Sequence, residues 1–331
     1  MIISRTPLRI SFFGGGTDYP VWYKKNKGSV ISTSINKYIY VTCRYLPQFF
    51  DYNYRIRYTE QEHEKQISSI KHPSVRECLK FLKFKKGLEM QHNADIPAMS
   101  GMGSSSSFTV GLLNALYGLQ GTMVDKKRLA LEAIHVEQNM IKENVGSQDQ
   151  TVAAYGGLNR IDFGGKEIIN ITPLNISQDR INKLESNLLM FYTGISRNAS
   201  KIAKSQIKTT NKKTVDLNKM LALVDEAYRV LTKTKTNLDD FGALLGESWK
   251  IKRTLTNKIS NIVIDDIYDN AIKAGAIGGK LLGAGSGGCM LFYVRKNKQE
   301  KVKRRLKNLL YIPIKFENFG SQIIYKMPND F

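Results

Sequence analysis

Between Asp95 and Leu116 the chain reads DIPAMSGMGSSSSFTVGLLNAL, and this stretch leaves the backbone little choice. Pro97 is followed by Gly101 and Gly103, then by four serines, Ser104 to Ser107. Behind them Phe108, Leu112, Leu113, Ala115, Leu116 and Leu119 recur at roughly helical spacing. A flexible Gly/Ser linker is usually longer and is not followed at once by a helix; here a buried helix is expected to start just after the serines. Glycines that free the backbone, with Ser at a helix N-terminus, bring several N–H groups to one spot. That is the physical recipe for an anion site.

The rest of the chain bounds which anion belongs there. Its 331 residues suit two ordinary domains better than one, and a compact chain of this size buries roughly 75% of its unfolded surface without disulfide staples. Cys43, Cys78 and Cys289 are far apart, odd in number and without metal spacing, which suits a reducing cytoplasm. No apolar run reaches 18 residues, and the start MIISRTPLRISFF lacks a basic n-region and a cleavage site, so a cytoplasmic chain with no membrane partner is expected. Fifty Lys and Arg against 29 Asp and Glu leave a net charge of +21. Such a charge invites a nucleic-acid reading. The excess is spread along the chain, as in KFLKFKKG and KNKQEKVKRRLKN, and no nucleic-acid motif accompanies it. A solvated basic surface with no nucleic-acid partner is therefore expected, its field also favouring phosphorylated metabolites and nucleotides.

Along the chain no internal repeat stands out. GSVISTSINKYIYVTCRYL, residues 28–46, reads as a strand pair, and GLEMQHNADIP as a strand leading into the serine loop. Asp125 is placed to cap the helix KKRLALEAIHVEQNMIKEN, whose buried stripe is Leu129, Ala133, Val136 and Met140. GGLNRIDFGGKEIINITPL reads as strands joined by a Gly turn. A second half follows with the strand SNLLMFYTG, two long helical patterns between about 197 and 275, strands at KLLGAG and GCMLFYV, a basic helix, and YIPIKF. The interleaving predicts α+β domains divided near 174, giving 1–174 and 175–331, although no Pro/Gly-rich linker marks the division.

Several motif matches fail on context. Gly283, Gly285 and Gly288 satisfy G-x-G-x-x-G, but a strand follows them and the acidic residue of a dinucleotide site is missing. IDFGG has the Asp-Phe-Gly of protein kinases without the rest of that set. The serine loop lacks the Lys of a Walker-type P-loop.

Three segments do fit together: RTPLRISFFGGGTDYP (5–20), PAMSGMGSSSSF (97–108) and GGKLLGAGSGGCMLF (278–292). Their order and content resemble the GHMP small-molecule kinases, the family of galactokinase, homoserine kinase, mevalonate kinase and phosphomevalonate kinase. The family pattern P-x-x-x-G-[LM]-G-S-S is met by Pro97, Gly101, Met102, Gly103, Ser104 and Ser105. The resemblance implies a two-domain α+β fold. Its N-terminal domain would be like ribosomal protein S5 domain 2, with a left-handed β-α-β unit that departs from the usual handedness, and its C-terminal domain ferredoxin-like. It also implies ATP and Mg²⁺ as cofactors, a small-molecule acceptor as partner, and a monomer or homodimer. The opening segment is similar to that of the heptose 7-phosphate kinases. In galactokinase Gly-Glu-His precedes Thr-Asp-Tyr, whereas this chain has Gly14, Gly15 and Gly16 before Thr17, Asp18 and Tyr19. Replacing that Glu by Gly removes bulk and a like charge facing the far end of the sugar, which permits a longer, phosphorylated acceptor. The expected reaction is transfer of the γ-phosphate of ATP to the anomeric 1-OH of D-glycero-D-manno-heptose 7-phosphate, on the route to GDP-heptose and surface polysaccharide. Fucokinase-like or galactokinase-like activity is the alternative. A non-catalytic sugar and ATP sensor is the remote one, which a degraded Asp149, Ser105 or Glu137 would have favoured.

The resemblance also assigns roles. Backbone N–H groups from Gly101 to Ser106 would cradle the ATP phosphates, with Pro97 and Met102 in the same motif; the other reading of the serines is N-capping alone. Ser105 and Glu137 would hold Mg²⁺, an oxygen-only donor set that suits it. Glu137 borders the buried helical stripe, where a carboxylate needs a cation; a surface Glu paired to a Lys is the alternative, and Glu143 the nearest competitor. Asp149, in NVGSQDQTVAAYGG, would accept a hydrogen bond from the acceptor hydroxyl, as a base that takes its proton or as a positioning group, or else only cap QTVAAY. Arg9 would stabilise charge between nucleophile and phosphate. Thr17, Asp18 and Tyr19 would hold sugar hydroxyls, Gly156 and Gly157 would let backbone approach the sugar, and Gly285 belongs to a loop closing over phosphates and acceptor. Separately, Arg197, Lys201 and Lys204 share one helix face after Ser196, a candidate clamp for a distal sugar phosphate or a solvated charged face.

Overall fold

The structure, a computed structural model, describes residues 1–164, 169–195 and 199–327. Arg197 and Ser196 lie outside the described residues, as does the side chain of Lys201. In chain order the first half runs β1 (Ile2–Phe13), α1 (Pro20–Tyr23), β2 (Gly28–Tyr45), β3 (Tyr54–Arg57), β4 (Gln61–Glu64), α2 (Pro73–Phe81), β5 (Leu88–Ala94), α3 (Ser104–Leu119), α4 (Lys126–His135), α5 (Gln148–Tyr155), β6 (Leu158–Phe163) and β7 (Ile169–Pro173). Then come α6 (Gln178–Ser186), β8 (Leu188–Tyr192), α7 (Ala199–Thr209), α8 (Thr214–Thr232), α9 (Leu238–Thr254), α10 (Ile262–Ala274), β9 (Gly278–Leu281), β10 (Cys289–Tyr293), α11 (Lys296–Arg305), β11 (Leu310–Ile312), β12 (Phe316–Glu317) and β13 (Gln322–Lys326). The two long helical patterns expected between 197 and 275 are four helices, because Lys213, Asn237 and Asn261 open new ones. Among the described residues no helix is long and apolar enough to cross a membrane.

The residues read as a strand pair form one 18-residue strand, β2. No Gly or Pro after Gly28 interrupts it, and its two ends serve different partners: residues 28–33 pair with β6 and residues 39–45 with β5. Strand β1 runs antiparallel along it from Ile2 opposite Cys43 to Phe13 opposite Ile31. The larger sheet has the order β13-β1-β2-β5-β3-β4, with β12 and β6 also on β2 and β7 on β6. A smaller antiparallel sheet has the order β11-β8-β10-β9. These are the mixed layers expected of the α+β class.

Strands and core residues cross the division expected near 174. β12 and β13, at the far C-terminus, return to the first sheet and pair with β2 and β1. One apolar core likewise mixes Leu8, Phe12 and Leu112 of the first half with Val224, Phe241 and Leu291 of the second.

Two local features position the site. Helix α3 starts from Gly103 in the left-handed region (φ 71) and is buried along most of its length, as the spacing predicted. Helix α4 is capped by Asp125, whose carboxylate accepts from the Arg128 N–H at 2.8 Å. Asp125→Ala is therefore expected to cost about 1 kcal/mol in a urea melt. The helix does not continue to Asn144; after His135 it widens into a π-turn over Val136–Met140. Such turns re-aim side chains, often at functional sites. This one carries Glu137.

Candidate active site

The three sequence motifs converge on one cavity of about 290 Å³, lined by Arg9, the turn at Gly15 to Tyr19, the serine loop, Glu137 and Asp149. Close backbone approach holds the motifs together. The carbonyl of Ser100 accepts from the Cys289 N–H at 3.0 Å, and a Cβ on Gly283 would lie 2.6 Å from the Gly101 Cα. The third motif is thus stacked on the second.

At the floor of the cavity Arg9 and Asp149 form a bidentate pair. Nε and Nη2 of Arg9 donate to the two Asp149 carboxylate oxygens, each at 2.8 Å. Nη1 of Arg9 donates to the Gly101 carbonyl at 2.7 Å, and its backbone N–H to the Met102 carbonyl at 3.2 Å. A Cβ on Gly103 would sit 3.1 Å from an Asp149 oxygen. The loop therefore lies directly against the pair. Asp149 stands in the first turn of α5 but is turned to Arg9 rather than spent on capping.

Ser104, Ser105 and Ser106 line the cavity at the start of α3, where first-turn N–H groups have no partner within the helix. Ser107 is spent elsewhere, donating to the Pro7 carbonyl at 2.9 Å. Pro97 is exposed and Met102 wholly buried, and neither lines the cavity; they shape the loop instead.

Glu137 is 2% exposed and accepts from Ser106 Oγ and Thr109 Oγ1, both at 2.7 Å, and from Gln150 Nε2. Burial raises its carboxyl to about 7 against the pull of those three donors, and the charge of Asp149 adds to the rise. A buried carboxylate whose charged form is disfavoured in this way, lining the same cavity as Ser105, fits a hard divalent cation such as Mg²⁺, which would favour that form. Glu143 also lines the cavity but is exposed.

Asp18 and Tyr19 face the cavity. Asp18 Oδ1 accepts from the Gly16 N–H at 2.8 Å, and burial raises its carboxyl above the usual range. Thr17 does not face the cavity; its hydroxyl donates to the carbonyls of Gly14 and Ser29 and locks the turn. The glycines expected near sugar are also placed elsewhere. A Cβ on Gly156 would lie 2.1 Å from the Phe319 carbonyl carbon, and the Gly157 N–H donates to Ser34 Oγ and the Glu317 carbonyl, so both pack against the returning C-terminal segment. Gly285 packs on Ile259, leaving Gly283 and Ala284 as the cavity-lining members of the third motif.

Some cavity residues have no signal in the sequence. Lys252 of α9 and Gln206 of α7 line it from the second half of the chain. Nothing in WKIKRT distinguishes Lys252 from the many solvated lysines; only burial does. Gln150 is found through Glu137, and Gln148 through its bond from Ser11 Oγ at 2.8 Å.

Residues 73–157 match the GHMP kinases N terminal domain and residues 227–312 the GHMP kinases C terminal domain, together just over half of the chain. The chain is 29% identical to D-glycero-alpha-D-manno-heptose 7-phosphate kinase of Campylobacter jejuni over 92% of its own length and 93% of that protein. It is 23% identical to galactokinase of Pyrococcus furiosus, covering 91% of each. Its fold superposes on a crystal structure described as a D-glycero-D-manno-heptose 1-phosphate kinase from Bacteroides thetaiotaomicron with a TM-score of 0.81, at 22% identity over 99% of this chain and 100% of that one. The chain belongs to the GHMP kinases, ATP-dependent phosphotransferases with an alcohol acceptor.

Proposed function

We propose that the protein is a sugar kinase that transfers the γ-phosphate of ATP to the anomeric 1-OH of D-glycero-D-manno-heptose 7-phosphate. The product is the 1,7-bisphosphate, an intermediate toward GDP-heptose, made in the cytoplasm. The observation that carries the reaction is the bidentate Arg9–Asp149 pair set between the serine loop and the Asp18 turn. The acceptor is supported by the full-length similarity to the Campylobacter jejuni enzyme.

The residues divide the work between two ends of the cavity. First-turn N–H groups of α3, with the positive end of its dipole, hold the nucleotide phosphates. Asp18 and Tyr19 orient the sugar. Asp149 accepts a hydrogen bond from the 1-OH and takes its proton as the oxygen attacks phosphorus. Arg9 keeps the Asp149 carboxylate aimed, and its guanidinium charge lies beside the transferring group. Ser105 and Glu137 would hold Mg²⁺, which when bound draws charge from the β- and γ-phosphates. Glu137→Gln should then raise the Mg²⁺ concentration for half-maximal rate at least tenfold, since altering residues behind a metal ligand alone costs 10–100-fold in affinity. A Mg²⁺ titration of initial rates checks this, and an unchanged midpoint removes Glu137 as a ligand.

The proposal as a whole is tested by ADP release with Mg-ATP against the heptose 7-phosphate, mannose, galactose, fucose, mannose 6-phosphate and mevalonate. Turnover confined to the heptose phosphate supports it. Turnover on galactose or fucose alone keeps the kinase and discards the substrate.

A further inference from the structure

Two polar side chains from the second half of the chain reach the acceptor end of the cavity with hydrogen-bonding capacity left over. Lys252 is 5% exposed, and its Nζ donates to the Gly283 carbonyl at 2.6 Å. An ammonium has three N–H donors, so two remain. Among the described residues no carboxylate lies within ion-pair distance of it, although Asp18 and Asp149 are close enough to be felt. Gln206 is 4% exposed, and its Nε2 has no partner among the described residues.

Both abut the turn that carries Asp18. A Cβ on Gly15 would lie 3.9 Å from Lys252 Nζ, and a Cβ on Gly16 would lie 2.4 Å from Gln206 Nε2. The small residues at these two positions are thus not only vacated space: at Gly16 the room is taken by Gln206. Buried donors left without acceptors are costly, which makes sense where a ligand brings the acceptors. Arg9 cannot be the main anion-binding group, because its guanidinium is already shared by Asp149 and Gly101. Among the described residues lining the cavity, Lys252 is the cation with no carboxylate in contact.

We infer that Lys252 and Gln206 form a clamp for an anionic, oxygen-rich substituent of the acceptor, a phosphate, and so give the site its preference for phosphorylated over neutral sugars. This rests on reading the Asp18 turn as the acceptor site. It places the phosphate-binding role in the buried interior rather than on the Arg197, Lys201 and Lys204 stripe expected from the sequence. The groups around Lys252 also define a pH dependence. Burial and the positive charge of Arg9 lower its amine to about 8, Asp18 and Asp149 oppose that, and Lys280 of β9 adds to the positive side. A depressed cation is lost as pH rises, so the KM for a phosphorylated acceptor increases above about pH 8 while that for a neutral one does not.

The test is steady-state kinetics of the full chain with Mg-ATP on two acceptors, D-glycero-D-manno-heptose 7-phosphate and the same sugar without its phosphate. Lys252→Met is expected to lose about 100-fold in kcat/KM on the phosphorylated sugar, mostly through KM, and less than about threefold on the neutral one. Gln206→Leu should lose about tenfold with the same selectivity, and Lys252→Arg should recover part of the loss. Equal losses on both acceptors, or no loss, overturn the inference; equal losses in kcat would mean that Lys252 serves the phosphoryl group in transit. A thermal melt reports whether Lys252→Met folds, and Gln206→Leu carries the test if it does not. Wild-type turnover of neutral sugars alone sinks the 7-phosphate reading without reference to any variant. In that case calorimetric titration with the phosphorylated sugar, without nucleotide, still reads the clamp: binding about tenfold tighter to wild type than to Lys252→Met supports it, and equal binding overturns it.

Discussion

Replacing Asp149 by Asn lowers kcat by on the order of 10²-fold or more, with little change in the KM for ATP. Asn keeps the shape of the side chain and one acceptor oxygen but cannot take a proton from the 1-OH. The change also unbalances Arg9, which is 4% exposed and loses its anionic partner. Breaking a buried ion pair completely costs about 3–5 kcal/mol. Here the amide oxygen keeps one guanidinium N–H and the Gly101 carbonyl keeps another, so about 2 kcal/mol is expected. Single-turnover phosphoryl transfer reports the first effect and a urea melt the second. A variant that melts earlier yet transfers phosphate within about threefold of wild type would make Asp149 only a structural partner of Arg9.

The second large effect is on stability. Gly156 ends α5 with φ 72 and ψ 179, a region that side chains essentially never occupy. An added Cβ would also meet backbone, with the Phe319 carbonyl carbon at 2.1 Å and the Gly320 nitrogen at 2.3 Å. Neither neighbour can rotate away. Strain of about 1–3 kcal/mol and overpacking of about 1–3 kcal/mol together predict that Gly156→Ala loses 2–6 kcal/mol, roughly a third of a typical domain's stability. The damage should appear first where the C-terminal segment joins the large sheet, so amide exchange along β13 should accelerate before that of β5. The acceptor KM should stay near wild type, because Gly156 does not line the cavity. A raised KM with an unchanged melt would instead restore a sugar-side role for this glycine.

How much was legible in the sequence varies by residue. The serine loop and α3 were, because left-handed glycines, N-terminal serines and an apolar period of 3.6 are properties of a continuous segment. Arg9, Asp149, Glu137 and Asp18 were legible through family resemblance, and the structure brings all four to one cavity. Gly156, Gly157 and Gly285 were singled out as places of close approach, and what crowds Gly156 and Gly285 is other backbone. A glycine in sequence announces a close neighbour without saying which. The same limit explains β2: its β-branched and aromatic residues announce extended chain, while only its partners β5 and β6 make it one strand rather than two.

By itself, then, the sequence determined the local elements, the order of the three motifs and the chemistry available to them, since each depends on residues near one another in the chain. Tertiary structure decided which groups share a cavity. The return of β13 to β1 depends on contacts more than 300 residues apart, and no local pattern records it. The burial of Lys252 and the turn of Gln206 toward the Asp18 loop have the same origin. A lysine's stem is apolar and its charge is tolerated almost anywhere water reaches, so composition cannot say which of the chain's many lysines is enclosed. Enclosure is a property of the packed fold, and it is enclosure that turns an ordinary ammonium into one poised for a phosphate.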